Sequence, residues 1–299
     1  MFQIKRVCVI LLVLSFKSKN MKRIYLLPNL VTAFSLSCGL FIIFRILLFG
    51  SYAPYKLFEA SVILMLVAAL ADVCDGAIAR ILKAESDFGI QFDSLADSIT
   101  FGVAPAVVVL RSFEIAPKSG LFLLLSASSI VYSLCGVLRL ARYNVTAAVK
   151  KKTPLLASES RSFTGLPIPA AALAIVSLNL FFLSEEFKSL ANISEKTRAI
   201  VLIAAFILTG YFMVSRWKFP SLKTFHFRVK SFSLVFVTAI IAVVLLYGIV
   251  NLFSFILFVI FWGYIATAWV LSCIRAIAGK RSKTLSEFDP DDDSDFPEK

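Results

Sequence analysis

Four aspartates stand where charged residues are least expected, inside strongly apolar stretches of the chain. They are Asp72, Asp75, Asp93 and Asp97. If these stretches cross a membrane, each carboxylate costs roughly 2.5 to 3.5 kcal/mol to insert and needs a compensating partner. Arg80 is one nearby cation, and Arg45 belongs to another stretch. A divalent metal ion held by hard oxygen ligands, such as Mg²⁺, Mn²⁺ or Ca²⁺, best supplies the missing positive charge.

The spacing of these aspartates places them on the stripes of two successive helices. Positions i, i+3, i+4, i+7 and i+8 of one helix are Asp72, Asp75, Gly76, Ala79 and Arg80. Positions i, i+4 and i+8 of the next are Gly89, Asp93 and Asp97. The two acidic stripes are expected to face each other across a short turn. Small residues allow close approach and an arginine meets phosphate, so this pattern suits a nucleotide diphosphate.

The composition places these helices in a bilayer. Of the 299 residues, 59% are hydrophobic, and the mean hydropathy is +0.86, which is too apolar for a soluble domain. Apolar stretches of roughly 18 to 25 residues, enough to cross a hydrocarbon core about 30 Å thick, recur along the chain. The alternation typical of a β-barrel is absent. The sequence predicts an all-α, polytopic integral membrane protein with about eight transmembrane helices.

The predicted spans set the topology. They cover residues 30–50, 58–82, 93–111, 120–143, 166–183, 198–214, 231–249 and 252–274. Connections on one side carry twenty-one Lys and Arg, and those on the other side carry six. The six are Lys56, Arg111, Lys118, Lys188, Lys196 and Arg198. This bias predicts that both termini and the turn between the acidic stripes face the cytoplasm.

The chain is predicted to consist of a core with added segments. The core covers residues 21–230 with six helices, and residues 231–275 add two transmembrane helices. Residues 1–20 form an N-terminal extension with a short apolar run, to which we assign no function. Residues 276–299 gather acidic residues and two prolines, which predicts a largely disordered cytoplasmic tail.

Histidine and cysteine chemistry is not supported by the sequence. His226 is the single histidine, so neither a histidine metal cage nor a Ser-His-Asp triad can be built. The five cysteines are scattered without paired spacing. No nucleic-acid partner is expected.

The acidic stripes resemble a known family. Their pattern, D-x2-D-G-x2-A-R-x8-G-x3-D-x3-D, is the signature of the CDP-alcohol phosphatidyltransferases, and all eight fixed positions match. The resemblance implies that the protein transfers a phosphatidyl group from a CDP-lipid, CDP-diacylglycerol, to an alcohol in phospholipid biosynthesis. It also implies a homodimer surrounded by membrane lipids.

The resemblance gives each residue of the pattern a role. It implies two divalent ions, Mg²⁺ or Mn²⁺, on the four aspartates, with Asp97 also serving as the general base for the attacking hydroxyl. The residues expected near the CMP moiety are Gly76, Ala79 and Arg80. Gly89 is expected to permit close packing or the close approach of the nucleotide. Asn29 and Thr32 are further nucleotide candidates, although a helix N-cap explains Asn29 almost as well.

Other segments indicate the acceptor. Residues 27–39, 139–144, 163–171 and 213–223 resemble the bacterial and archaeal phosphatidylserine synthase branch of the family. The resemblance implies L-serine as the acceptor and the bacterial cytoplasmic membrane as the location. The carboxylate of serine could be bound by arginine. The preferred acceptor residues are Arg142 and Asn144, followed by Arg139, Arg216 and Lys218.

Three alternatives remain at this point. The same chemistry could use glycerol 3-phosphate or inositol phosphate. The cations near the acceptor could only anchor helix ends and follow the topology rule. A metal or proton-coupled transporter would also use intramembrane aspartates, but it leaves the Gly, Ala and Arg spacing unexplained.

Overall fold

A computed structural model describes residues 28–49, 53–82, 86–113, 119–152, 165–191, 193–215 and 252–278. The regular elements in these ranges are all helical. They are α1 Pro28–Leu48, α2 Tyr55–Ile81, α3 Asp87–Asp97, α4 Ala104–Arg111, α5 Gly120–Lys152, α6 Ile168–Leu183, α7 Glu185–Leu190, α8 Glu195–Val214 and α9 Phe253–Ala278. A π-helical segment, Ser98–Val103, joins α3 to α4. The predicted all-α class is confirmed.

Six helical segments in the described ranges are long and apolar enough to cross a membrane. They are α1, α2, the continuous run Asp87–Arg111, residues Gly120–Thr146 of α5, α8, and residues Phe253–Ser272 of α9. The shorter helix α6 occupies the predicted span 166–183. The predicted span 231–249 lies outside the described residues. The chain is therefore a polytopic membrane protein, as predicted.

One predicted span boundary is wrong, and one helix extends beyond its predicted span. The third span begins at Asp87 instead of residue 93, because Ser86 caps the helix: its Oγ accepts a hydrogen bond from the Gly89 amide at 3.0 Å. Helix α5 contains the predicted span 120–143 within its membrane-spanning part, Gly120–Thr146, and continues to Lys152. Residues 144–152 contain neither glycine nor proline, so nothing in the sequence breaks the helix there.

Helix α6 is the centre of the bundle. All ten residues from 171 to 180 are buried, and α6 packs against α2, α4, α8, α9 and the π-helical segment. Trp262 anchors the contact between α9 and α6. Its Nε1 donates a hydrogen bond to the Ala174 carbonyl at 2.9 Å. Helix α2, which carries Asp72 and Asp75, and the π-helical segment after Asp97 thus both pack against α6, which is enclosed by protein.

The π-helical segment follows Asp97 directly and is anchored by α5. The Tyr132 hydroxyl donates to the Phe101 carbonyl, and the Ser133 hydroxyl donates to the Gly102 carbonyl, both at 2.8 Å. A π-helical turn is wider than an α-helical turn and rotates the residues on its two sides relative to each other. The segment therefore lets α3 turn Asp93 and Asp97 toward α2 while α4 continues into the core.

Helix α1 approaches the π-helical segment very closely at Gly39. A Cβ on Gly39 would lie 2.5 Å from Thr100 Oγ1 and 2.8 Å from Thr100 Cα. Next to this contact the Thr100 hydroxyl donates to the Ser35 carbonyl at 3.4 Å. Membrane helices commonly use small residues to bring backbones together in this way. Gly39 therefore sets the distance between α1 and the helix that carries Asp97.

We predict that Gly39→Ala destabilises the protein by about 1 to 3 kcal/mol, because the new methyl group overlaps backbone atoms. The matched control is Gly263→Ala in α9, where an added Cβ meets nothing within 4 Å. Thermal unfolding of both purified variants in detergent measures the difference. Equal melting temperatures for the two variants would show that the close approach at Gly39 is unimportant.

Candidate active site

Three aspartates from two helices converge on one point. The carboxylates of Asp72 and Asp75 on α2 and Asp93 on α3 each offer an oxygen, and these oxygens lie within 4.8 Å of one another. Oxygens that share a cation at about 2.0 to 2.6 Å from it can be at most about 4 to 5 Å apart. The three carboxylates therefore fit around one divalent cation.

Asp97 completes the cluster on its buried side. It lies one helical turn beyond Asp93 and is only 8% exposed, and its carboxyl group lies close to that of Asp72. Asp93 Oδ1 is buried and has no hydrogen-bond partner among the described residues. A buried acceptor without a donor is rare in proteins, and it is the arrangement expected of a cation ligand.

The charge of the cluster is not balanced by basic side chains. None of the four carboxylates forms a salt bridge with a lysine or arginine of the described segments. Arg80 turns away instead, donating from Nε to the carbonyl of Gly76 at 2.9 Å. Buried charges require a partner or a metal. The donor set, all carboxylate oxygen, suits the hard cations Mg²⁺, Mn²⁺ and Ca²⁺.

Thr32 of α1 orients one of these carboxylates. Its hydroxyl lies 2.6 Å from Asp75 Oδ2 and 3.2 Å from the carbonyl of Pro28, and both Thr32 and Asp75 are at most 5% exposed. Such hydrogen bonds hold metal-binding carboxylates in place and tune them. The structure thus places Thr32 behind a candidate metal ligand, and its contact with a nucleotide stays a prediction.

Gly89 brings the start of α3 against the start of α1. A Cβ on Gly89 would lie 3.0 Å from Asn29 Oδ1 and 3.0 Å from Ser86 Oγ. In the structure, Gly89 therefore lies where α3 and α1 pack closely against each other. Sequence reasoning missed Ser86, although a serine immediately before an acidic first turn is a common helix start.

The nucleotide candidates on α2 share one open face. A Cβ on Gly76 would meet only Arg80 Nη2, at 4.0 Å. Ala79 is half-buried and Arg80 is exposed. The space beside Gly76 is therefore open apart from the Arg80 side chain. The roles of these residues toward CMP stay predictions.

Among the acceptor candidates in the described part of the chain, Arg139 interacts electrostatically with a carboxylate of the cluster. It sits on α5, is half-buried, and is near enough to Asp97, Tyr143 and Tyr264 for direct electrostatic interaction. Its Nε is buried without a hydrogen-bond partner in the described part of the chain. Tyr264 comes from α9, and sequence reasoning had no signal for it, since the contact joins helices distant in sequence.

The other acceptor candidates are partly engaged or lie elsewhere. Arg142 is exposed and donates from Nη1 to the Val214 carbonyl at 3.0 Å, which fixes the end of α8. Asn144 donates from Nδ2 to Ser94 Oγ at 2.8 Å, while its buried Oδ1 has no partner among the residues described. Arg216 and Lys218 lie outside the described residues.

Fold and site together define a polytopic membrane protein with a carboxylate centre that could hold a divalent cation between two of its helices. Comparison with known proteins refines this class. Residues 25–211 match the CDP-alcohol phosphatidyltransferase family. The chain belongs to that family, and the prediction made from the pattern of eight residues is confirmed.

Curated relatives of the chain come from bacteria and archaea. It is 34% identical to the CDP-diacylglycerol--serine O-phosphatidyltransferase of Helicobacter pylori strain 26695 over 214 residues, 72% of this chain and 80% of the relative. The enzyme of the same name from Bacillus subtilis is 30% identical over 198 residues, 66% of this chain and 91% of the relative. That from Methanocaldococcus jannaschii is 36% identical over 157 residues, 52% of this chain and 62% of the relative.

We predict that Asp93→Asn weakens Mn²⁺ binding by tenfold or more, because it removes the charge of an oxygen that has no other partner. Isothermal titration calorimetry of the purified full chain with MnCl₂ measures the affinity. The control is Asp87→Asn, an exposed acid at the start of the same helix. Equal Mn²⁺ affinity of wild type and Asp93→Asn would rule out this residue as a ligand.

Proposed function

We propose that this protein is a phosphatidylserine synthase, which transfers the phosphatidyl group of CDP-diacylglycerol to the hydroxyl of L-serine and releases CMP. The observation that carries the proposal is the convergence of Asp72, Asp75 and Asp93 at the family's pattern positions. Serine as the acceptor rests on the names of the curated relatives.

In this proposal Asp72, Asp75, Asp93 and Asp97 hold divalent metal, Mg²⁺ or Mn²⁺, with two ions implied by the family pattern. Bound metal would neutralise the diphosphate and stabilise charge on the attacking and leaving oxygens. Thr32 keeps Asp75 in position through its 2.6 Å hydrogen bond. The open face beside Gly76 leaves room for the nucleotide.

Asp97 is the proposed general base. The serine oxygen forms a bond to the lipid-bearing phosphorus while the bond from that phosphorus to the CMP oxygen breaks, and the hydroxyl proton passes to a carboxylate. Asp97 is buried at the closed end of the cluster, where water competes least for that proton. A correctly placed carboxylate can assist such a transfer by a factor of 10² to 10⁴.

Arg139 is the stronger candidate for binding the carboxylate of serine. It interacts electrostatically with Asp97 and has a buried donor without a partner in the described structure. Arg142 already binds the Val214 carbonyl and is exposed. A serine whose carboxylate lies on Arg139 would present its hydroxyl toward Asp97, since the two groups of serine are only three bonds apart.

We further propose a bacterial cytoplasmic membrane location with the carboxylates and both termini on the cytoplasmic side. The excess of Lys and Arg in the connections on that side supports this orientation. A homodimer is proposed from the family resemblance. L-Serine would then reach the carboxylates from the cytoplasm, and CMP would be released there.

The purified protein is expected to release CMP from CDP-diacylglycerol when Mn²⁺ or Mg²⁺ and L-serine are both present. Asp97→Asn is expected to lower kcat by about 10² to 10⁴ while CDP-diacylglycerol still binds. Chromatographic assay of CMP measures turnover, with glycerol 3-phosphate and inositol phosphate as alternative acceptors. CMP release that depends on another alcohol would mean that this alcohol, and not serine, is the acceptor. Absence of metal-dependent CMP release with every alcohol tested would refute the proposal.

Arg139→Gln is expected to raise the KM for serine by tenfold or more with little change in the KM for CDP-diacylglycerol, because the charged hydrogen bonds to the carboxylate are lost. Arg139→Lys should recover part of this loss by restoring the charge. Arg142→Gln is the matched control on the next turn of α5. Steady-state kinetics at varied serine concentration measure these KM values. A larger increase in the KM for serine in Arg142→Gln than in Arg139→Gln would assign the serine carboxylate to Arg142 instead.

A further inference from the structure

A second polar pocket lies at the opposite end of the bundle from the carboxylates. Its volume is about 360 Å³, and we call it the Arg198 pocket. Its polar wall contains Arg111, Ser112, Lys188, Glu195 and Arg198, and its apolar wall contains Phe58, Phe182, Leu183 and Phe187. In α2, Phe58 precedes Asp72 by about 21 Å of helix rise. The pocket is therefore separate from the transfer site.

The Arg198 pocket gathers positive charge on the side of the membrane where it is scarce. Connections on this side carry six Lys and Arg in all, and three of them, Arg111, Lys188 and Arg198, line this pocket. Glu195 is the one acid among its lining residues. The positive-inside rule does not account for such a cluster, because it disfavours cations on this side.

Arg198 is held rigidly in the pocket wall. Its guanidinium lies 4.0 Å from the centre of the Phe113 ring, and Nη2 donates to both the carbonyl and the hydroxyl of Ser112. Its Nε is buried and has no hydrogen-bond partner within the described ranges. A planar guanidinium whose position is fixed in this way can offer its remaining N–H groups to a phosphate group.

A second buried donor stands behind this arginine. Asn179 of α6 is 1% exposed, and its Oδ1 accepts a hydrogen bond from Ser112 Oγ at 2.9 Å. Its Nδ2 is buried without a partner among the described residues. Arg198, Ser112 and Asn179 thus form one polar network, which holds the Arg198 guanidinium in the pocket wall.

We propose that the Arg198 pocket binds the phosphate of a membrane phospholipid, in the leaflet opposite the carboxylate end. The pocket lies where α2 and α8 begin and α4 and α6 end, at the rim of the membrane-spanning part. Its aromatic wall suits the glycerol and upper acyl chains of a lipid, whereas a soluble anion would leave that wall uncovered. This lipid is bound in addition to any lipid substrate.

The test uses the full chain purified in non-ionic detergent and titrated with dioctanoyl phosphatidylglycerol, with the bound fraction counted by native mass spectrometry. Ala191→Phe fills the pocket without removing a charge, and Arg198→Gln removes the guanidinium. The control is Lys196→Gln, an exposed cation at the same end of α8 that does not line the pocket. Both pocket variants should raise the Kd by about tenfold or more, and the control by less than about twofold.

Unchanged lipid affinity in Ala191→Phe overturns the proposal, including the case in which Arg198→Gln does not fold. Two further ligands identify the recognised group. Dioctanoylglycerol, which lacks the phosphate, should bind far more weakly, and equal binding would exclude phosphate recognition. Inorganic phosphate should not displace the lipid at equal concentration, and full displacement would exclude a lipid as the ligand.

Discussion

Four carboxylates inside a membrane-spanning bundle are the constraint on which the rest of the structure depends. They are stable there only if their charge is compensated, and the basic side chains of the described helices do not form salt bridges with them. The fold holds carboxylate oxygens of Asp72, Asp75 and Asp93, from two helices, within 4.8 Å of one another, so that one cation can bind these three residues.

That convergence requires helices to approach each other more closely than large side chains allow. Gly39 brings α1 onto the π-helical segment, and Gly89 brings α3 onto α1. Hydroxyl groups then fix the orientation, as Thr32 does for Asp75 and Tyr132 does for the Phe101 carbonyl. Because a membrane offers little hydrophobic force between helices, such close contacts and hydrogen bonds supply the specificity.

Much of this organisation could be predicted from the sequence because the signals are local. Hydropathy locates the spans, and the spacing of the aspartates on 3.6-residue helices places them on facing stripes. The π-helical segment had no such signal, because it depends on Tyr132 and Ser133, more than thirty positions away. The sequence favours Arg142 and Asn144 as acceptor residues, whereas in the structure Arg142 of α5 donates a hydrogen bond to the Val214 carbonyl at the end of α8. Whether an arginine is available to bind the acceptor depends on its side-chain partners in other helices, and these partners cannot be deduced from one sequence.

The short central helix α6 affects how the protein meets membranes of different thickness. Its 16 residues rise about 24 Å, less than the hydrocarbon core of about 30 Å. A helix of this length facing lipid would force the bilayer to thin, but α6 is enclosed by its neighbours. The outer helices are several residues longer, and it is therefore their length that must match the thickness of the bilayer. Changes in bilayer thickness should act on the tilt of α1 and α5 and leave the axis of the bundle undisturbed.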